Sequence, residues 1–93
     1  MTVQMTSSMP GTTQEGYERL AAALLPALTT ADGFIAHAAG PVEGGYQVSE
    51  LWASEQAHTA WFTTHVLAMM PPDAPRPDIT FRPITRIANR ADD

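Results

Sequence analysis

Two hydrophobic periods alternate along the 93 residues of this chain, and their order restricts the fold more than any other feature. Residues 2–9 (TVQMTSSM) and 78–88 (DITFRPITRIA) change character at every second position, the repeat of a strand with unlike faces. Residues 34–39 (FIAHAA) and 46–52 (YQVSELW) read as a strand pair across Gly40-Pro41-Val42-Glu43-Gly44-Gly45, and the second of them puts Tyr46, Val48, Glu50 and Trp52 on one side. Tyr17, Leu20, Ala21, Leu24, Leu25 and Leu28 recur instead at helical spacing. So do Ala57, His58, Trp61, Phe62, His65, Ala68 and Met69. The order is β-α-β-β-α-β.

Local signals set the boundaries. Pro10-Gly11 ends the first strand, and Thr12 with Glu15 has the spacing of a capping box that starts a helix. Pro26 is expected to kink or end that helix, with Asp32-Gly33 as its stop. Ser54-Glu55 opens a second helix expected to run to about Met70, where Pro71-Pro72 halts it. Residues 71–77 (PPDAPRP) hold four of the eight prolines and predict a stiff extended connection. Pro83 cannot donate a ladder hydrogen bond, which makes the last strand an edge or a bulged one. Residues 89–93 read as a polar tail.

This order predicts one α+β domain over residues 1–93, with the ferredoxin-like arrangement of two helices on one face of an antiparallel sheet. The second face is expected to be apolar, carrying either Tyr46, Val48 and Trp52 or the opposite set of that strand together with isoleucines and phenylalanine from the others, and a bare patch of that kind predicts a homodimer joined sheet to sheet. Only 16% of the residues are charged, against roughly 25% in an average soluble domain, which fits surface hidden in a dimer.

The charges that are present exclude some partners. Every basic residue is an arginine and the net charge is -5, so nucleic acid and anionic membrane surfaces are disfavoured. No apolar run is long enough to cross a bilayer and no basic leader precedes one, so the expected location is the cytoplasm. Without cysteine there is no disulfide, thiolate metal site or thiol nucleophile. No phosphate-binding glycine loop, dinucleotide fingerprint or nucleophile elbow is present.

Gly33-Phe34-Ile35, then the run from Tyr46 through Glu50-Leu51-Trp52 and Ser54-Glu55-Gln56-Ala57-His58, then Trp61-Phe62, resembles the antibiotic biosynthesis monooxygenase (ABM) family. The shared features are a glycine before the second strand, a Glu-x-Trp closing the third, and a Ser-x-x-Ala start to the second helix. The resemblance implies a dimeric α+β barrel with a pocket between sheet and helices of each subunit. It also implies oxidation of polycyclic aromatic polyketides without metal or flavin, with Trp61 facing the pocket. The histidine that ligates haem in some members is replaced by Pro71, and the pocket asparagine is missing from the first strand, where Ser7 is the nearest match. Both departures argue against haem degradation.

Cofactor-free oxygenation needs a base, a group to hold the resulting anion, and an apolar cavity that admits dioxygen. His58 and His65 flank Trp61 on one helix face and are the candidate bases, while Arg82 could hold the anion. Trp61, Phe62 and Met69 could stack an aromatic ring, with Tyr46 and His37 as polar contacts. Each has a plainer reading: core packing for the aromatic residues and Met69, a satisfied buried imidazole for the histidines, and a salt bridge for Arg82 with Glu50, Asp73 or Asp78. Metal binding by His58 and His65 is disfavoured, because seven helical residues separate them by roughly 10 Å.

The expected function is therefore that of a cofactor-independent monooxygenase acting on an aromatic or polyketide-like small molecule with dioxygen. A non-redox cyclase or isomerase using the same pocket, and a non-catalytic small-molecule-binding dimer, are the alternatives.

Overall fold

In the computed structural model, which describes residues 1–91, the two periods become β1 (Val3–Pro10), α1 (Gln14–Leu28), β2 (Phe34–Val42), β3 (Gly45–Trp52), α2 (Glu55–Trp61) and β4 (Asp78–Pro83). The last two positions of the expected polar tail lie outside the described residues. All strand pairs are antiparallel and the sheet order is β2-β3-β1-β4. The arrangement is α+β and compatible with a ferredoxin-like fold.

Strand parity decides what the core contains. Val3 and Met5 of β1, and Tyr46, Val48, Glu50 and Trp52 of β3, are all buried. The core joins Val3, Met5, Val48 and Trp52 to Leu28 of α1 and Trp61 of α2, with Leu24, Leu25, Phe62, Ile79 and Phe81 packed against them. Trp52 is fully buried, with the rings of Phe34, His58 and Trp61 centred 5.5, 5.5 and 6.0 Å from its own.

Several boundaries depart from expectation for local reasons. Thr13, not Thr12, caps α1, its Oγ1 accepting from the Gly16 N–H at 3.0 Å, while Glu15 pairs with exposed Arg19. The helix runs through Pro26 to Leu28 and closes without glycine. There the Thr29 backbone N–H and hydroxyl both donate to the Leu25 carbonyl. The expected loop at 40–45 contracts to a tight turn with Gly44 at φ +81°, so β2 extends to Val42. Pro41 is accommodated because β2 lies at a sheet edge. β4 stops at Pro83, also on an edge, leaving Arg86 beyond the strand.

The uncovered sheet face also differs from expectation. Ile79 and Phe81 point to the helix side, so the opposite face carries Gln4, Thr6, Gln47, Ser49, Thr80 and Arg82 beside Ala36, Ala38 and Leu51. Arg82 Nε donates to Gln4 Oε1 at 2.6 Å, and Gln4 Nε2 donates to Ser49 Oγ at 3.0 Å. Phenylalanine is absent from that face among the described residues, and Ile35, 42% exposed, stands there beside Leu51 in place of the expected broad apolar patch. Short uncharged polar side chains there account for part of the low charge count.

Gly33 is required twice over. Its φ is +85°, and a Cβ built there would lie 2.7 Å from the Ala57 Cβ at the start of α2. Gly44 has a similar φ with nothing within 4 Å. Gly44→Ala should therefore cost about 1–2 kcal/mol, and Gly33→Ala more, read as a larger drop in urea midpoint at unchanged m value.

Candidate active site

A cavity of about 300 Å³ lies between α1 and the sheet, walled also by α2 and by the proline-rich connection before β4. Leu20, Leu24 and Leu25 of α1 face Met5, Val48 and Ile79 of the sheet across it, so most of its wall is hydrocarbon. Besides Ser7, Thr12 and Arg76, polar groups reach it in two clusters.

The first cluster begins at Glu50, which is only 3% exposed. Trp52 lies two residues along the same strand and hence on the same face, and its indole N–H donates to Glu50 Oε1 at 2.9 Å. His37 stands opposite Glu50 in the β2–β3 register, with Nδ1 2.7 Å from Oε2. The Tyr17 hydroxyl, from α1, lies 2.6 Å from His37 Nε2. Because the carboxylate only accepts, Nδ1 carries a hydrogen, and Nε2 either accepts from the Tyr17 hydroxyl or donates to it according to the tautomer. The Tyr17 ring stacks on Tyr46 at 5.1 Å. Burial raises the Tyr17 pKa above the ordinary phenol value, reinforced by the charges of Glu18 and Glu50 and by Tyr46, so the hydroxyl stays protonated at neutral pH.

A bulge brings His37 to this cluster. β2 carries one extra residue between Phe34 and Ala36, which turns Ile35 outward and lets both Phe34 and His37 face the helices. Simple alternation would place those two on opposite faces.

The second cluster is His58 and Trp61 on α2, started by Ser54, whose Oγ accepts from the Ala57 N–H at 3.1 Å. His58 is 2% exposed, and the rings of Trp52, Phe62 and Phe81 lie 5.2 to 5.6 Å from it. Both His58 ring nitrogens and the Trp61 indole nitrogen are buried without a protein hydrogen-bond partner. Leaving such groups unpaired costs about 1–3 kcal/mol each. Burial lowers the His58 pKa, and the attraction of Glu50 and Glu55 offsets this only in part, so the ring is neutral at pH 7.

Of the residues singled out from sequence, His37, His58, Trp61 and Phe62 line the cavity, and Tyr46 stands behind Tyr17. His65, Met69 and Arg82 are not among its walls. The reason for the first two is a register change. After Trp61 the helix widens into a π-helical turn at Phe62–Val66, where the Leu67 N–H bonds to the Phe62 carbonyl, and then tightens into a 3-10 turn at Leu67–Met69. A regular 100° projection fails from there on, and Val66 and Met70 take the wall positions expected for His65 and Met69. Met69 is 58% exposed. Arg82 is separated by strand parity, because its neighbour Phe81 faces inward.

The arginine that does reach the cavity is Arg76, from the proline-rich connection. Tyr17 and Arg76 carried no sequence signal for this role, since both come from segments whose approach to β3 depends on packing. Among the described residues no three His, Asp or Glu side chains are grouped as metal ligands, and no helix is long and apolar enough to cross a membrane. Comparison with protein-family models, with curated proteins and with solved structures finds no match to this chain. The resemblance to the ABM family rests on the residues quoted from its sequence.

The depressed His58 pKa fixes a sign. Below the ordinary histidine value of 6.5 the unfolded chain takes up the proton that the folded chain refuses, so stability falls as pH drops through that range and is unaffected above it. His58→Leu should flatten this acid slope and leave stability at pH 7 equal or higher, measured by urea unfolding from pH 7.5 down to 5.

Proposed function

We propose that this chain is a small homodimeric enzyme of the ABM type that oxidises an aromatic, polyketide-like molecule with dioxygen and no bound cofactor. The observation that carries this reading is His58, a neutral imidazole with no protein partner, at the wall of an apolar cavity. A hydrocarbon wall suits a flat aromatic substrate and dioxygen alike, and it excludes the water that would protonate a carbanion. Trp61 and Phe62 bracket the ring, and the Trp61 indole N–H donates to a substrate oxygen.

His58 removes a proton from an activated ring methylene. The electron pair left on carbon passes to dioxygen, forming a C–O bond, and the resulting peroxide anion takes back the proton from His58 to give a hydroperoxide. Cleavage of its O–O bond with loss of the second methylene hydrogen yields a ketone and one water, so that CH2 plus O2 becomes C=O plus H2O. Arg76 takes the anion-holding role expected for Arg82, since it is the arginine at the cavity wall.

A non-redox cyclase or isomerase is the second reading. It is favoured by the hydrogen-bonded Tyr17, His37 and Glu50, which can return a proton to the substrate as well as take one.

Oxygen uptake with a hydroxyanthrone separates the two. The monooxygenase reading expects one dioxygen consumed per quinone formed, and a loss of about 100-fold or more in His58→Leu at unchanged fold. Equal substrate conversion under nitrogen would favour the cyclase. Binding without turnover in either atmosphere would leave a binding protein.

A further inference from the structure

The cluster at Glu50 contains more than a buried carboxylate needs. Trp52 and His37 each donate one hydrogen bond to it, at 2.9 and 2.7 Å, and these two engage both of its oxygens. The chain nevertheless continues through His37 Nε2 to the hydroxyl of Tyr17, on a different element, and Tyr17 lines the cavity. A group that reacts, an imidazole behind it and a carboxylate orienting that imidazole form the general arrangement of an activated acid–base residue.

We infer that Tyr17 is a catalytic acid–base residue of this cavity, with His37 and Glu50 as its positioning residues, and that it recognises ligands by a phenolic or enolic hydroxyl. The inference rests on the reading that the cavity binds a small molecule, and it adds a second proton-handling group, on α1 where His58 is on α2.

The inferred direction of the relay, from Tyr17 to His37, sets the ligand class. A phenol has one hydrogen and two acceptor lone pairs. In this relay the Tyr17 hydrogen points to His37 Nε2, 2.6 Å away, so what remains for a ligand is an acceptor, and the matching ligand group must donate. An ammonium would need several acceptors, whereas Leu20 and Leu24 beside Tyr17 offer none and both Glu50 oxygens are engaged. A hydroxyl on a flat apolar body needs only one.

Proton transfer along this line balances without redox change. The ligand O–H bond breaks as a new bond forms to the Tyr17 oxygen, and the hydrogen already on Tyr17 passes to His37 Nε2. The result is a ligand oxyanion and an imidazolium beside the Glu50 carboxylate. The reverse path returns the proton. Stacking on Tyr46, with ring planes 14° apart, holds the Tyr17 ring while this happens.

4-Nitrophenol and its methyl ether 4-nitroanisole test the inference, at a pH where the free phenol is mostly uncharged. Quenching of tryptophan fluorescence reports occupancy, because Trp61 lines the cavity. The nitrophenolate absorbance band reports transfer of the proton, which a purely structural role would not move. The wild-type protein should bind nitrophenol several-fold more tightly than nitroanisole and show the anion band. Tyr17→Phe and His37→Asn should retain quenching by both probes, lose the preference, and show about tenfold less anion.

Quenching without an anion band in the wild type would overturn the proton transfer. An undiminished band in either folded variant, checked by circular dichroism, would overturn the role given to that residue and with it the relay. Equal binding of the two probes would overturn hydroxyl recognition. Absence of quenching by either probe would overturn the ligand cavity itself, and the relay with it.

Discussion

The fully buried indole of Trp52 connects every part of this small protein that matters to its site. Its ring faces Phe34 from β2 and His58 and Trp61 from α2, so one side chain joins the sheet to the second helix. Its N–H donates to Glu50, which in turn fixes His37 and through it Tyr17. Burying a carboxylate is costly unless its oxygens are hydrogen-bonded, and here an indole and an imidazole supply those bonds. The hydrophobic core and the polar cluster are thus held by the same residue.

Two single-residue irregularities then decide what enters the cavity. The bulge after Phe34 turns His37 toward the helices, and the wide turn at Phe62–Val66 rotates His65 away while bringing Val66 in. Bulges and π-helical turns interrupt regular hydrogen bonding and are over-represented near functional sites. In this chain both act at the cavity, one adding a titratable group and the other replacing one with hydrocarbon.

The second cluster runs against stability. A core optimised for folding alone would place an apolar side chain where His58 stands, because its ring nitrogens find no partner among aromatic rings. Local rules of this kind are characteristically broken where a protein does something other than fold. The burial that makes His58 costly also keeps its ring neutral, the form that can accept a proton.

The sequence by itself determined the element order, the division of β3 into its two faces, the start of α2 at Ser54 and the presence of His58, Trp61 and Phe62 on one helix face. These follow from local periodicity and capping, which act over a few residues and need no knowledge of the rest of the chain. The tertiary structure alone decided which face of β3 is buried, that Tyr17 meets His37, that Arg76 and not Arg82 reaches the cavity, that His65 and Met69 do not line it, and that Phe81 and Ile79 leave the uncovered sheet face to polar and small residues with Ile35 and Leu51. Strand pairing, a bulge and a change of helical pitch shift registers by one residue. A shift that small leaves the hydrophobic pattern nearly intact while moving a side chain to the other face.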